Sequence, residues 1–187
     1  LHFEIRDAKS QKPLNPLLFD LPISDSQRPQ IQKLFLFYPK NNAVLTHSEP
    51  IALHKVNDST YNTPVVSSSG KMGLGLQMFD RQDLSYNKNG IYKAKLEING
   101  KTITQFQFDQ LNYSDSDKLF INIDYPTFKK NKNKIQKLFF QDHKPLTFMK
   151  LMTTEGLFNI EPGKSYQVKV VVEDFSGNTS YIVMYIE

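Results

Sequence analysis

The chain has 187 residues, of which 39% are hydrophobic, and its mean hydropathy of −0.46 is typical of a globular protein with one sizeable core. No run of about 18 apolar residues occurs, so the sequence predicts no transmembrane helix. The net charge of +4 comes from 23 basic and 19 acidic residues and is too small to indicate nucleic-acid binding. Cysteine is absent, which excludes disulfides, thiol chemistry and cysteine-ligated zinc.

The first six residues, LHFEIR, alternate in the way that is typical of a strand. Phe3 and Ile5 face one way, and the polar residues between them face the other. The given sequence starts directly with this pattern and not with an initiator Met, a cap or a turn. Because a natural N-terminus rarely lies inside a strand, we expect the chain to be a fragment of a longer protein, whose chemistry lies mostly upstream.

This opening resembles the end of the His-Leu-His-Phe-Glu-Ile-Arg stretch that closes the catalytic domain of lysostaphin-like (LytM-type) zinc endopeptidases, enzymes that cut peptidoglycan cross-links. In that family the first His of His-x-His is the catalytic base and the second ligates zinc, which implies that His2 is a zinc ligand of the parent protein. Residues 12–19 are similar to the exit segment of that domain. Residues 90–100 and 174–180 resemble the C-terminal domain attached to some of these peptidases.

The resemblance implies that zinc belongs to the parent protein and that this fragment alone binds no cofactor and holds no catalytic residue. A catalytic zinc needs about three protein ligands and an open position for water, and His2 alone cannot supply them. The implied partners are the catalytic domain of the same chain and a cell-wall polymer such as peptidoglycan. The implied location is extracytoplasmic: the periplasm, the cell envelope or the medium.

Residues 1–28 are predicted to be the C-terminal remnant of the catalytic domain and a linker, and residues 29–187 an accessory β-sandwich domain. Pro13, Pro16 and Pro22 prevent regular helix or central strand in the first part. Its Leu, Ile and Phe residues are too apolar for a free linker. We therefore expect this segment to lie extended against the sandwich.

Alternating apolar and polar residues predict an all-β fold, an immunoglobulin-like antiparallel β-sandwich with an extended N-terminal segment. Asn99 and Gly100 predict a type I′ hairpin turn. Gly73 and Gly75 lie opposite an apolar strand face, which indicates a bulge or a close approach by another backbone. A short helical turn is expected near residues 125–130. The strands are predicted at residues 31–38, 51–56, 71–79, 92–98, 103–109, 135–140, 166–173 and 180–186.

Several constellations could carry chemistry, and each also has a purely structural explanation. His54 and Asp58 copy the His-x-x-x-Asp spacing of the zinc family, but they follow the His-x-His position instead of preceding it. Asp and Asn residues collect in three loops, where they could bind calcium or simply form turns. These are Asp80, Asp83, Asn87 and Asn89; Asp109, Asp115, Asp117 and Asp124; and Asp174 with Asn178.

Two further surfaces also have both a functional and a structural explanation. A lysine-rich stretch at residues 129–134 could bind an anionic polymer or could be a solvated loop. Tyrosines at strand ends and in loops could line a glycan site, although 14 Phe and no Trp favour core filling. These tyrosines are Tyr38, Tyr61, Tyr86, Tyr113 and Tyr125.

The sequence therefore favours a non-catalytic C-terminal accessory domain of a cell-wall zinc metalloendopeptidase, with the binding residues of the sandwich unknown. The alternative is a stand-alone β-sandwich module that binds carbohydrate or protein. That alternative predicts an exposed aromatic platform or a loop cluster organised by calcium. No nucleophile elbow and no phosphate-binding loop occurs in the sequence.

Overall fold

The computed structural model describes residues 3–39, 45, 47–116, 118–140 and 146–187. The described part contains one α-helix, α1 (Tyr125–Asn131), and otherwise consists of strands, short 3₁₀ turns and loops. The strands are β1 (Ile5–Arg6), β2 (Pro13–Leu14), β3 (Gln30–Tyr38), β4 (His47–Ile51), β5 (His54–Lys55), β6 (Thr60–Asn62), β7 (Gly70–Phe79), β8 (Lys93–Ile98), β9 (Lys101–Gln107), β10 (Gln136–Lys137), β11 (Met149–Met152), β12 (Phe158–Ile160), β13 (Tyr166–Glu173) and β14 (Thr179–Ile186).

Two large sheets form the sandwich. The first has the order β10-β7-β3-β4, and β12 pairs with the same strand β7. The second has the order β11-β9-β8-β13-β14-β6-β5. Strand pairs are antiparallel except for β6 with β14, which run parallel. The prediction of an all-β sandwich is confirmed.

The main core lies between the two sheets. Alternate residues of each central strand are buried there, as the period of two requires. Leu34 and Leu36 of β3 and Leu74 of β7 meet Leu96 of β8 and Val170 of β13 in one buried cluster. Among the described residues no helix is both long enough and apolar enough to cross a membrane.

The predicted hairpin is present and has the predicted turn. Asn99 and Gly100 connect β8 to β9 with φ angles of 48° and 78°, the positive values that a type I′ turn requires. The Asn99 side chain also accepts a hydrogen bond from the backbone of Gln167 at 2.8 Å, which ties the turn to β13. The predicted helical turn near residues 125–130 is α1.

Some strand predictions need correction. The expected strand at 51–56 is divided between β4 and β5, and residues 57–69, where no strand was predicted, contain β6. The apolar run at 135–140 forms only the two-residue strand β10, because its side chains Ile135 and Phe139 cover the outer face of the first sheet. Strands β11 and β12 have no strong alternation in the sequence and were not predicted.

The glycines of β7 allow this outer layer to pack closely. A Cβ atom on Gly73 would lie 2.4 Å from Cδ1 of Phe139, and one on Gly75 would lie 2.7 Å from Cε2 of Phe37. Both rings are buried and in edge contact, with centroids 5.2 Å apart. A close approach at Gly73 and Gly75 is therefore present, but side chains make it, and the prediction of another backbone needs correction.

We expect Gly73→Ala to lower the free energy of unfolding by about 1–3 kcal/mol, the usual cost of overpacking. The added methyl group cannot be accommodated without moving the buried ring of Phe139. Gly90→Ala is the matched control, since a Cβ there would meet no atom within 4 Å. Urea denaturation followed by circular dichroism measures both, and equal stabilities for the two variants would contradict the packing argument.

Candidate functional site

A groove separates the N-terminal segment from the loops at one end of the sandwich. Its volume is about 470 Å³ and it is open to solvent. The N-terminal segment supplies Phe3, Asn15, Pro16, Leu17, Leu21, Ile23 and Asp25, and the sandwich supplies Asp80, Gln82, Asn89, Gly90, Ile91, Tyr92, Phe108, Phe175 and Ser176. We take this groove as the candidate site because it combines an apolar wall with buried carboxylates.

The first half of the N-terminal segment is fastened to β9 and its continuation. Strands β1 and β2 form a small hairpin, and the backbone N–H of Asn15 donates to the carbonyl of Asp109 at 2.7 Å. The Asn15 side chain donates to the Phe108 carbonyl at 3.1 Å, and Leu111 donates to the Pro13 carbonyl at 3.0 Å. The segment therefore lies against the sandwich as expected, but as a hairpin and a 3₁₀ turn instead of an extended chain.

The second half of the segment is fastened to the loop after β7. The carboxylate of Asp83 accepts hydrogen bonds from the Ser24 hydroxyl at 3.0 Å and from the Ser26 backbone and hydroxyl at 3.1 Å each. These bonds hold the pKa of Asp83 below its ordinary value. The Gln27 side chain donates to the Gln82 carbonyl at 3.0 Å. These polar contacts fix the second half of the N-terminal segment beside the groove.

Aromatic rings form the apolar wall. Tyr92 and Phe175 pack edge to face with ring centroids 5.0 Å apart. The Tyr92 hydroxyl donates to Asp109 at 2.6 Å, and partial burial together with this bond raises the pKa of Tyr92 to about 12. The hydroxyl therefore stays protonated across the physiological range, and its bond to Asp109 fixes one end of a ring that lines the groove.

Three carboxylates meet at one end of the groove. Asp25 comes from the N-terminal segment, Asp80 directly follows β7, and Asp174 directly follows β13. One oxygen atom of each lies within 4.8 Å of the others. Asp25 lies near Asp80 because β3 begins beside the end of β7. Asp174 joins them because the start of β14, which pairs with the end of β13, is held to the residue before β3: the Ser180 hydroxyl donates to the Pro29 carbonyl at 2.6 Å.

The cluster is largely removed from water. Asp80 is 5% exposed and Asp174 is 2% exposed, whereas Asp25 is half-buried. Asp174 accepts two hydrogen bonds of 2.8 Å from Asn178, one from its backbone and one from its side chain. The Asn178 side chain also donates to the Asp25 carbonyl at 3.1 Å and so joins two of the three residues.

Asp80 is the least compensated member of the cluster. Its Oδ1 atom is buried and accepts no hydrogen bond. Burial, together with the negative charges of Asp25 and Asp174, raises the pKa of Asp80 to about 7, although the backbone N–H of Arg81 opposes the shift. Burial likewise raises the pKa of Asp25. No ion pair among the described residues includes any of the three carboxylates.

The sequence anticipated only part of this cluster. It placed Asp80 and Asp174 in separate candidate calcium loops, which the fold brings together, and it missed Asp25. Other candidates are engaged elsewhere: Asp109 with Tyr92 and Lys150, Asp115 with Thr147, and Asp124 with Thr127. Asp117 lies outside the described residues.

The predicted zinc ligand His2 lies outside the described residues, as does His143. His54 is exposed on β5, and the exposed Asp58 pairs with Lys55 at 3.2 Å, as expected for a strand residue and a turn residue. Within the described part of the chain, the only grouping of His, Cys, Asp and Glu side chains suited to a metal is the all-carboxylate cluster. That donor set lacks the His ligands of a lysostaphin-like zinc centre, so the described residues do not fit one.

The tyrosine and lysine candidates do not form a site together. No ring contact in the described part joins two of the five candidate tyrosines; Tyr113 lies under the guanidinium of Arg6, and Tyr125 packs against Phe120. The lysines of residues 129–134 lie on and after α1, where they are exposed. The sequence did not indicate Tyr92, Phe108 and Phe175 as a groove wall, because the first two lie in predicted strands and Phe175 follows one directly.

Comparisons with known proteins do not assign this chain to a family. No protein-family model, no curated protein sequence and no solved structure matches the chain. The resemblance to zinc endopeptidases therefore remains a prediction from the residues that carry it.

Proposed function

We propose that this chain is a non-catalytic accessory β-sandwich domain of a peptidoglycan zinc endopeptidase of the cell envelope. In this proposal the N-terminal segment joins the sandwich to a catalytic domain that holds the zinc and supplies the hydrolytic chemistry. His2 belongs to that zinc centre. The proposal starts from the likeness of residues 1–6 and 12–19 to the end of such a catalytic domain.

The observation that carries the proposal is the attachment of the N-terminal segment along most of its length. Asn15 anchors its middle to the backbone of residues 108 and 109, and Asp83 anchors its end through Ser24 and Ser26. A flexible linker would make few such contacts. A domain joined to this segment would be held in a defined orientation, which is what an accessory domain that positions an enzyme requires.

The same segment presents large apolar side chains to solvent. Phe3 is 59% exposed, Leu18 44%, Phe19 45% and Ile23 42%. Groups of exposed apolar side chains mark interaction surfaces. We assign this surface to the catalytic domain, because the segment that carries it is the one predicted to lead into that domain.

The test is a longer protein that includes the coding sequence preceding Leu1. We expect it to bind one zinc ion and to release soluble fragments from purified peptidoglycan, whereas the 187-residue chain does neither. His2→Ala in the longer protein should abolish zinc binding and lower hydrolysis by more than about 100-fold, since a catalytic zinc depends on each of its few ligands. His54→Ala is the matched control and should leave both unchanged.

Zinc binding and hydrolysis that persist in the His2→Ala protein would contradict the proposal, as would turnover by the 187-residue chain alone. The interface is tested separately with Phe19→Ser in the longer protein. Loss of domain contact should make the junction more sensitive to limited proteolysis. Val65→Ser removes a similarly exposed side chain, 57% accessible, from a sandwich loop and should have no such effect.

A second function is supported by the groove itself. The rings of Tyr92, Phe108 and Phe175, with the carboxylates at one end, suit a stand-alone module that binds a carbohydrate or a peptide. Titration of the 187-residue chain with soluble peptidoglycan fragments distinguishes the two. Saturable binding that Tyr92→Ala removes would favour the module, and binding seen only with the longer protein would favour the accessory domain.

A further inference from the structure

The carboxylates of Asp25, Asp80 and Asp174 carry more negative charge than their surroundings neutralise. Two of the three residues are at least nine-tenths buried, and no ion pair in the described part of the chain reaches them. Buried like charges at this separation strongly disfavour full ionisation. Something else must compensate them at neutral and alkaline pH, and the two simple options are a proton and a metal ion.

Asp80 is the member of the cluster with a buried carboxylate oxygen that has no partner. Its Oδ1 atom is buried, accepts no hydrogen bond, and belongs to a side chain that approaches Asp25 and Asp174. A native structure rarely leaves a buried acceptor unsatisfied. A cation held by the three carboxylates would give the Asp80 carboxylate the partner that it lacks.

We propose that Asp25, Asp80 and Asp174 bind a calcium ion. All three ligands are hard carboxylate oxygens, and the absence of His and Cys from the cluster disfavours zinc and other softer metals. Oxygen atoms that lie within 4.8 Å of one another fit around one ion, because opposite ligands of Ca²⁺ are about 4.6–5.2 Å apart.

Further residues with amide oxygens line the groove beside Asp25 and Asp80. Calcium takes six to eight oxygen ligands, often including amide oxygens and water. Asn89 and Gln82 line the same groove as Asp25 and Asp80, and the groove opens to solvent, which gives both water and an entry path. Magnesium needs a tighter octahedral shell of shorter bonds and is the less suitable ion.

Calcium at this position would connect three parts of the chain. Asp25 belongs to the N-terminal segment, Asp80 to the end of β7 in one sheet, and Asp174 to the end of β13 in the other. The ion would therefore fix the N-terminal segment on both sheets at once, beside the hydrogen bonds that Asn178 and Asp83 already make. This inference concerns the 187-residue chain alone and does not depend on the zinc endopeptidase proposal.

The experiment uses the intact chain, freed of metal with EDTA and held near pH 8. Calorimetric titration with CaCl₂ should show one binding site, and saturating CaCl₂ should raise the melting temperature by about 5 °C or more. Asp80→Asn should abolish the calcium heat and the calcium-dependent shift, while its metal-free form melts higher than the metal-free wild type because a repulsive charge is gone. MgCl₂ should act more weakly than CaCl₂.

Asp58→Asn is the matched control, because it makes the same charge change at an exposed carboxylate outside the cluster. It should bind calcium as the wild type does. The proposal is overturned if the wild type shows no calcium heat and no shift near pH 8, which would leave a proton as the only compensating partner. It is also overturned if Asp80→Asn binds calcium with unchanged affinity.

Discussion

Gly156→Ala is expected to lower the free energy of unfolding by about 3–5 kcal/mol, the largest effect expected for an alanine at any of the eight glycines. Gly156 has a φ angle of +73°, which a side chain makes costly. An added Cβ would lie 2.5 Å from the carbonyl oxygen of Leu138, 2.5 Å from Oγ1 of Thr104 and 2.8 Å from Cα of Phe139. Two of these atoms belong to the backbone, so a change of rotamer cannot relieve the contact.

Gly163→Ala separates the two causes. Gly163 has nearly the same φ angle, +76°, but a Cβ there would meet no atom within 4 Å. It should lose only about 1–2 kcal/mol, the cost of a left-handed conformation with a side chain. Chemical denaturation followed by circular dichroism gives both values. Equal losses for the two variants would show that residues 138 and 139 do not pack over Gly156 as described.

The second large effect is a fall in stability as pH rises, in the absence of calcium. The pKa of Asp80 is about 7 in the folded chain and has an ordinary value of 3.8. The folded state therefore holds a proton that the unfolded state has released, and stability decreases between about pH 4 and pH 7. Between pH 5.5 and pH 8 the loss should be about 1–2 kcal/mol.

The groups around Asp80 set the sign of this dependence. Asp25 and Asp174 face it with the same charge, and the pKa of Asp25 is also raised, which adds to the effect. The nearby cations are directed elsewhere, since the Arg81 guanidinium and the Lys88 ammonium lie over the ring of Phe79 at 5.3 and 4.5 Å. No arginine or lysine in the described part forms an ion pair with Asp80.

Melting curves of wild type and Asp80→Asn at pH 5.5 and pH 8 measure this dependence. All other titratable groups are common to both proteins, so the difference between the two reports Asp80. The wild type should lose about 2–6 °C more than the variant. Parallel pH profiles would mean that Asp80 titrates normally and that the cluster is not strained by its charge.

Local sequence patterns predicted those features of the fold whose physical cause lies in neighbouring residues. Asn99 and Gly100 determine their own turn, because few other residues adopt positive φ angles cheaply. Gly73 and Gly75 indicated a close neighbour because they interrupt an otherwise apolar strand. The glycines alone could not identify Phe139 or Phe37 as that neighbour, since both rings come from segments remote in sequence.

The acidic cluster could not be predicted from local sequence patterns. Asp80 and Asp174 were each read as residues of separate loops, and Asp25 lies in a proline-rich segment where an Asp is most simply a turn former. Only the pairing of β3 with β7 and the contact between the two sheets bring the three together. The burial that makes Asp80 unusual is likewise a property of the assembled sandwich.

The most direct test of a calcium-fixed N-terminal segment is diffraction from crystals of the 187-residue chain grown with CaCl₂ near pH 8. An anomalous difference map should show one strong peak that lies about 2.3–2.6 Å from carboxylate oxygens of Asp25, Asp80 and Asp174. A map with no peak among these three side chains, or with calcium held only elsewhere on the surface, would contradict the account.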